Sequence, residues 1–180
     1  TDIVNISKPI TKFSYKLKKP EEIRYVLEKA YYISKAERPG PVLIDIPMNF
    51  QKSLINPNEL KSFKSSKKNY NNLNNKINNF KKLLKKSEKP VIILGGGIRY
   101  SNSQKILKEF LRKFQIPIVA TWSATDLVDH NDKRYIGNIG VYGNRSANII
   151  TQNADLIICL GSRLDTRVTG GKPGSFATEA

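Results

Sequence analysis

The sequence predicts an α/β protein whose larger part is a doubly wound parallel sheet, preceded by part of another α/β domain. Three short apolar runs, at residues 91–94, 117–120 and 156–160, are typical of strands buried on both faces of a parallel sheet. Helical patterns separate these runs, and glycine, serine or threonine follows each of them. Strands that alternate with helices in this way indicate a doubly wound sheet.

The first part of the chain is predicted to contain one helix and one buried strand. Residues 20–36 have apolar side chains at helical spacing, and Pro20 fits the first helical position. The helix must end at the Arg-Pro-Gly-Pro segment 38–41, because proline cannot continue the hydrogen-bond ladder. The apolar run 42–46 follows as a strand. A helix that leads into a buried strand is half of an α/β repeat.

Residues 52–71 are predicted to be an interdomain linker, since they are rich in Lys, Ser, Asn and Pro and lack periodicity. Residues 52–90 hold eleven Lys and nine Asn against two acidic residues, and so supply +9 of the formal net charge of +16. A basic nucleic-acid-binding module is the alternative interpretation. Base contacts, however, favour Arg and interleaved aromatic side chains on an ordered face. The composition therefore favours a solvated linker and no nucleic-acid partner.

Residues 72–180 are predicted to form the doubly wound sheet. Their elements, in chain order, are an amphipathic helix over 72–86, the strand 91–94, a helix capped by Ser101 or Ser103 and reaching Phe114, the strand 117–120, a glycine-rich loop (Gly137, Gly140, Gly143), a helix over 145–152 and the strand 156–160.

Composition excludes several classes of protein. The 180 residues include one Cys and one His, which excludes a disulfide framework and a multi-histidine metal site within the chain. No run of about eighteen apolar residues is present, so a membrane span is not expected. These features predict a cytoplasmic protein with no membrane partner. Because the chain opens with Thr1 and stops after a glycine-rich stretch, we expect it to be a fragment.

The predicted ligand site lies at the carboxyl ends of the parallel strands, where open α/β sheets bind ligands. Small or polar residues follow all three strands of the second part. Together they predict a nucleotide or diphosphate site, whereas each alone is also compatible with a tight turn. Asp165, Arg167 and Thr169 alternate after the last strand, which either directs them into one site or marks a capped, salt-bridged loop. The strand-end residues are Gly95, Gly96, Gly97, Thr121, Ser123, Gly161, Ser162 and Arg163.

Three other residues are weaker candidates. His130 lies in a polar loop and is expected to be solvated rather than catalytic. Cys159 lies inside an apolar strand and is expected to be a buried thiol. Trp122 either stacks on a ligand ring or packs against the protein. No catalytic residue is predicted in the chain.

Two strings of residues resemble one enzyme family. The first string, RPGPVLIDIP at 38–47, is similar to the end of the pyrimidine-binding domain of acetolactate synthase large subunits, which are thiamine-diphosphate-dependent enzymes. The second, GSRLDTRVTG at 161–170, resembles the Rossmann-like central domain of the same family. The resemblance implies that residues 1–51 are the C-terminal part of the pyrimidine-binding domain and that 72–180 are a truncated central domain.

The resemblance implies an enzyme that decarboxylates a 2-keto acid and transfers the resulting carbanion to a second carbonyl compound. Such enzymes are homodimers or homotetramers that bind thiamine diphosphate with Mg²⁺. In the family, the activating glutamate precedes the region matched here and the Gly-Asp-Gly magnesium segment follows it, so the chain alone is expected to be inactive.

The resemblance also makes FAD a candidate cofactor. The residues that correspond to the family's flavin region are Arg38, Gly95, Gly96, Gly97, Thr121, Gly161, Ser162, Arg163, Asp165 and Arg167. Three departures favour the alternative, a flavin-independent lyase or decarboxylase acting on another keto acid or a sugar-derived substrate. Glu37 replaces a glycine, Val141-Tyr142 replaces Met-His, and residues 122–126 differ from the usual flavin loop.

Overall fold

The computed structural model describes residues 1–65 and 72–180. These residues belong to two compact units, Thr1–Asn69 and Tyr70–Ala180, and each unit is described by itself. Among the helices that the described ranges contain, none is long and apolar enough to cross a membrane.

The first unit is a small parallel α/β layer. Its elements are α1 (Ile3–Ser7), β1 (Phe13–Lys16), α2 (Ile23–Lys35), β2 (Val42–Asp45) and α3 (Met48–Gln51). β1 and β2 are parallel, with Phe13 opposite Val42, and α2 buries Val26 and Ala30. The predicted helix and strand are confirmed. β1 was not predicted, because its Phe-Ser-Tyr-Lys sequence has no continuous apolar run and its backbone is satisfied only by pairing with β2.

Part of the predicted linker belongs to the first unit, where Phe63 packs against α2. Phe63 lies with its ring centroid 5.6 Å from that of Tyr25 and 5.5 Å from that of Tyr32. Its backbone N–H donates a hydrogen bond of 2.6 Å to the carboxylate of Glu28 on α2. Leu60 and Phe63 are half-buried, whereas the other residues of 52–65 are exposed. The remaining predicted linker residues, 66–71, lie outside the described part, and the boundaries 52–71 stay a prediction.

The second unit contains the predicted doubly wound sheet. Its four strands are all parallel and lie in the order β5-β4-β3-β6, which confirms the predicted fold class. The elements are α4 (Leu73–Lys86), β3 (Pro90–Leu94), α5 (Gly97–Tyr100), α6 (Gln104–Lys113), β4 (Ile118–Ala120), β5 (Tyr135–Asn138), α7 (Arg145–Gln152), β6 (Leu156–Leu160) and α8 (Thr166–Thr169).

Strand β5 corrects one prediction. The glycine-rich loop was expected to include Gly137, but Gly137 lies in β5 and pairs with Val119 of β4. The register shifts between Ile118 and Val119, and Gly137 has a φ of +131°. Glycine accommodates this irregular strand, whose short polar sequence carries little strand signal of its own.

The two faces of the sheet are buried by different helices. Alternate residues of β3 point to opposite faces: Ile92 and Leu94 lie with α4 and α6 on one face, whereas Val91 and Ile93 lie with α7 on the other. All four side chains are at most 2% exposed. Burial on both faces explains why β3 has a continuous apolar sequence.

Candidate functional site

The strand order places a topological switch point at the carboxyl end of β3. From β3 the chain continues to β4 and β5 on one side of the sheet, and then returns to β6 on the other side. Ligands of open α/β sheets bind at such a reversal. The structure brings the Gly95–97 turn after β3 next to Gly161 after β6, as the sequence predicted.

The glycine turn joins the ends of two strands. The N–H of Gly95 donates to the carbonyl of Leu160 at 2.8 Å, and the N–H of Gly97 donates to the carbonyl of Gly161 at 2.9 Å. A Cβ atom on Gly97 would lie 2.8 Å from that Gly161 oxygen. Gly161 itself has a φ of +72°, which favours glycine. These glycines therefore allow β3 and β6 to approach each other closely.

The middle glycine contacts the loop after β4. The N–H of Gly96 donates to the hydroxyl of Ser123 at 3.2 Å, and that hydroxyl lies 3.3 Å from the hydroxyl of Thr121. The guanidinium of Arg99 donates to the Ser123 carbonyl and forms an ion pair with Asp126. Thr121 thus lies in the predicted site, where it supports the glycine turn.

The residues after β6 form a capped turn. Asp165 accepts a hydrogen bond of 3.2 Å from the N–H of Arg167 and caps α8. Arg163 lies 3.7 Å from the Asp165 carboxylate, and its side chain is 70% exposed. The sequence left two interpretations of Asp165, Arg167 and Thr169 open, and the geometry here is that of the capped, salt-bridged loop. Ser162 accepts from the N–H of Leu164 at 3.4 Å.

An aromatic cluster lies beside this turn, formed by Trp122, Tyr142 and Arg167. The ring centroids of Trp122 and Tyr142 are 5.3 Å apart, and the Arg167 guanidinium lies 5.8 Å from the Trp122 ring centroid. The two rings remain 47% and 74% exposed. Sequence reasoning considered Trp122 and Arg167 separately and did not connect them with Tyr142. The flanking glycines, Gly140 and Gly143, were the available signal for a special loop.

The other candidates lie elsewhere. Arg38 belongs to the first unit, where its carbonyl accepts a hydrogen bond of 3.0 Å from the Lys12 ammonium. His130 is exposed, with its ring centroid 5.3 Å from that of Tyr135. Burial raises the pKa of the Cys159 thiol, as expected for a thiol that is not a nucleophile. Residues 1–65 and 72–180 contain no group of three metal-ligating side chains.

Comparisons with known proteins agree with this fold. Residues 77–180 match the family model described as "Thiamine pyrophosphate enzyme, central domain". The chain is 35% identical to an acetolactate synthase large subunit of Lactococcus lactis over 99% of this chain and 31% of that protein. It is 34% identical to the mitochondrial acetolactate synthase catalytic subunit of Saccharomyces cerevisiae over 99% of this chain and 27% of that protein.

A third relative is isozyme 2 of the Escherichia coli acetolactate synthase large subunit, which is 31% identical over 99% of this chain and 32% of that protein. The chain thus spans about a third of the length of the curated relatives that it matches. The family match covers more than half of the chain, and its residues are those that fold into the four-stranded parallel sheet. The chain therefore belongs to the thiamine pyrophosphate enzyme family and carries that family's central domain.

Proposed function

We propose that the chain is part of an acetolactate synthase-type enzyme, which decarboxylates a 2-keto acid and joins the remaining carbon fragment to a second carbonyl compound. The observation that carries this proposal is the similarity of 99% of the chain to three proteins named as acetolactate synthases. The similarity extends through both compact units, and so it includes the residues before the central domain as well as the domain itself.

The described residues contribute a scaffold to this enzyme rather than its chemistry. Thiamine diphosphate with Mg²⁺ supplies the carbanion chemistry when bound. We place the magnesium ligands in the Gly-Asp-Gly segment that, in the family, follows the region matched here. The proposal also includes assembly into a homodimer or homotetramer. The chain's own contribution is to fix the strand ends and the loops that follow them.

A flavin-independent lyase or decarboxylase is the second candidate. It is favoured by the Trp122–Tyr142 contact, which lies where the family sequence has Met-His and a different loop after β4. Such an enzyme would release the fragment formed from the keto acid, or would transfer it to a different acceptor. Its substrate would be another 2-keto acid or a sugar-derived compound.

The test is an assay of the complete enzyme that contains this chain. The protein is incubated with pyruvate, thiamine diphosphate and Mg²⁺, and acetolactate is measured after acid conversion to acetoin. We expect thiamine-dependent acetolactate formation, which ceases when thiamine diphosphate is omitted. Pyruvate consumption that gives acetaldehyde without acetolactate would support the second candidate. A folded enzyme that consumes no member of a panel of 2-keto acids would contradict both.

A further inference from the structure

We infer that the strand-end edge of the second unit is closed by the chain's own loops and does not bind a flavin dinucleotide. This inference assumes the enzyme family shown above and the reaction proposed for it. The proposed reaction joins and cleaves carbon–carbon bonds with no net oxidation or reduction. It therefore needs no redox cofactor, and the loss of a flavin site is compatible with activity.

The first support is that the backbone donors at the switch point are already used. A dinucleotide diphosphate at a glycine turn is held by backbone N–H groups that are free to donate to it. Here five consecutive N–H groups, those of residues 95–99, donate within the chain. Their acceptors are Leu160 O, Ser123 Oγ, Gly161 O, Gly95 O and Gly96 O, at distances from 2.8 to 3.3 Å. A bound diphosphate would have to break several of these bonds.

The second support is that the loops on the two sides of β3 contact each other. Trp122 follows β4, and Arg167 follows β6, although β4 and β6 lie on opposite sides of β3. The loop after β5 joins the same contact, because the N–H of Val141 donates to the carbonyl of Arg167 at 2.9 Å. The aromatic cluster thus connects three strand-end loops across the position where a dinucleotide would enter.

The third support is that the nearby cations are either paired or directed outward. The Arg99 guanidinium is bonded to the carbonyl of Ser123 and to the Asp126 carboxylate. Arg167 lies over the Trp122 ring, where cation–π attraction holds it. Arg163 is 70% exposed and lies 3.7 Å from the Asp165 carboxylate. None of these three guanidinium groups is arranged with the glycine turn to neutralise a diphosphate.

The binding experiment uses Trp122, the only Trp of the chain, as the reporter. The purified 180-residue chain is titrated with FAD, and Trp122 emission is followed together with equilibrium dialysis. We expect no saturable quenching of Trp122 and no retained flavin in a chain that circular dichroism shows to be folded. Saturable binding at one FAD per chain would overturn the inference. The acetolactate assay does not depend on this result, so the two proposals fail separately.

A pair of variants tests the contact between the loops. Arg167→Ala removes the guanidinium from Trp122, and so we expect faster acrylamide quenching of Trp122 than in the parent chain. Arg163→Ala removes an equally charged, exposed guanidinium and should leave the quenching unchanged, while Arg167→Lys should restore most of the protection. Equal quenching in the parent chain and both alanine variants would show that Arg167 does not cover Trp122, and would overturn the closed-edge inference.

Discussion

At the scale of single residues, Asp132 and Arg134 form a charge pair just before β5, and Arg134 also contacts the end of α6. The carboxylate of Asp132 accepts hydrogen bonds from Arg134 Nε at 2.9 Å and Nη2 at 2.5 Å, and it also accepts from the Arg134 backbone N–H at 3.0 Å. Arg134 in turn donates to the carbonyls of Leu111 and Phe114. The hydrogen bonds from Arg134 lower the pKa of Asp132 to about 2.

We expect Asp132→Asn to lower the free energy of unfolding by about 1–3 kcal/mol at neutral pH, since a hydrogen bond to a charged group contributes on this order. Because the folded pKa of Asp132 is about 2 and its ordinary value is 3.8, the pair's contribution is complete above 3.8. It declines as pH falls through about 2.

Urea unfolding of both proteins between pH 7 and pH 2 measures this difference, which should shrink at the acid end. Asp129→Asn is the matched control, because Asp129 is exposed and an asparagine oxygen can still accept from the N–H of Asn131. A constant difference between the parent and Asp132→Asn across the pH range would contradict the assignment.

Cys159 gives a second prediction at this scale. Its thiol packs against the apolar face that contains α7, lies 3.5 Å from the carbonyl of Ser162, and has a pKa raised by burial. The thiolate is the reactive form, so alkylation by iodoacetamide at pH 8 should be slow in the native chain and fast in urea. Mass spectrometry of timed samples measures both rates. Equal rates would show that the strand end opens readily.

At the scale of elements, the glycine turn after β3 and Gly161 after β6 approach each other closely. We expect Gly161→Ala to destabilise the second unit by about 2–4 kcal/mol, from the sum of left-handed backbone strain and overpacking. Its new Cβ would lie 2.7 Å from the nitrogen of Ile98 and 2.9 Å from the oxygen of Gly95, at a φ of +72°.

Gly174→Ala is the matched control for this substitution. No atom lies within 4 Å of the position that its Cβ would occupy, so its unfolding midpoint in urea should stay close to that of the parent chain. If the two alanine variants unfolded at the same urea concentration, the close approach of β3 and β6 would not contribute to stability.

Elements whose signal is local could be predicted from the sequence. The helix Arg145–Gln152 and the strand Leu156–Leu160 were predicted with the bounds that the structure has, because amphipathic spacing and a continuous apolar run identify them. β1 and β5 could not be predicted, since their short polar or glycine-containing sequences become strands only by pairing with β2 and β4.

The candidate site likewise contains features that the sequence predicts and features that depend on tertiary contacts. The meeting of the Gly95–97 turn with Gly161 follows from parallel strands, whose carboxyl ends share one edge. The contact of Trp122 with Tyr142 depends on how two loops pack against α8. No pattern of residue spacing in the sequence predicts this contact. The hydrogen bonds of the three glycine N–H groups could not be predicted either, because their acceptors lie 27 to 65 residues away in sequence.

At the scale of the whole molecule, the charge of +16 should make stability depend on salt. Excess positive charge repels itself in the folded state, and salt screens this repulsion over about 10 Å at 0.1 M. We expect the thermal midpoint to rise as NaCl increases from low to physiological concentration. The control is the thermal midpoint in glucose at the same osmolarity as the NaCl, which reports non-ionic solvent effects. A midpoint that falls with NaCl would mean that specific ion pairs outweigh the repulsion.

The positive charge also provides a test that distinguishes the enzyme interpretation from a nucleic-acid-binding module. Helix α4 carries Lys76, Lys81, Lys82, Lys85 and Lys86 around its apolar stripe, with no acidic residue in the helix. We expect only weak binding to duplex DNA, lost at physiological salt, because Lys-rich surfaces attract phosphates without reading bases. A fluorescence-anisotropy titration with two unrelated sequences measures it. Tight, sequence-dependent binding at physiological salt would contradict the enzyme assignment.

The strand order also has a consequence for synthesis on the ribosome. β3 is an inner strand whose two neighbours are made at different times: β4 soon follows it, whereas β6 ends at Leu160, 66 residues after Leu94. At a synthesis rate of roughly 5–20 residues per second, one edge of β3 stays unpaired for roughly 3–13 s until β6 has been made. During that interval an apolar strand presents unpaired backbone groups. A chaperone that binds this edge during the interval must be displaced before β6 can complete the sheet.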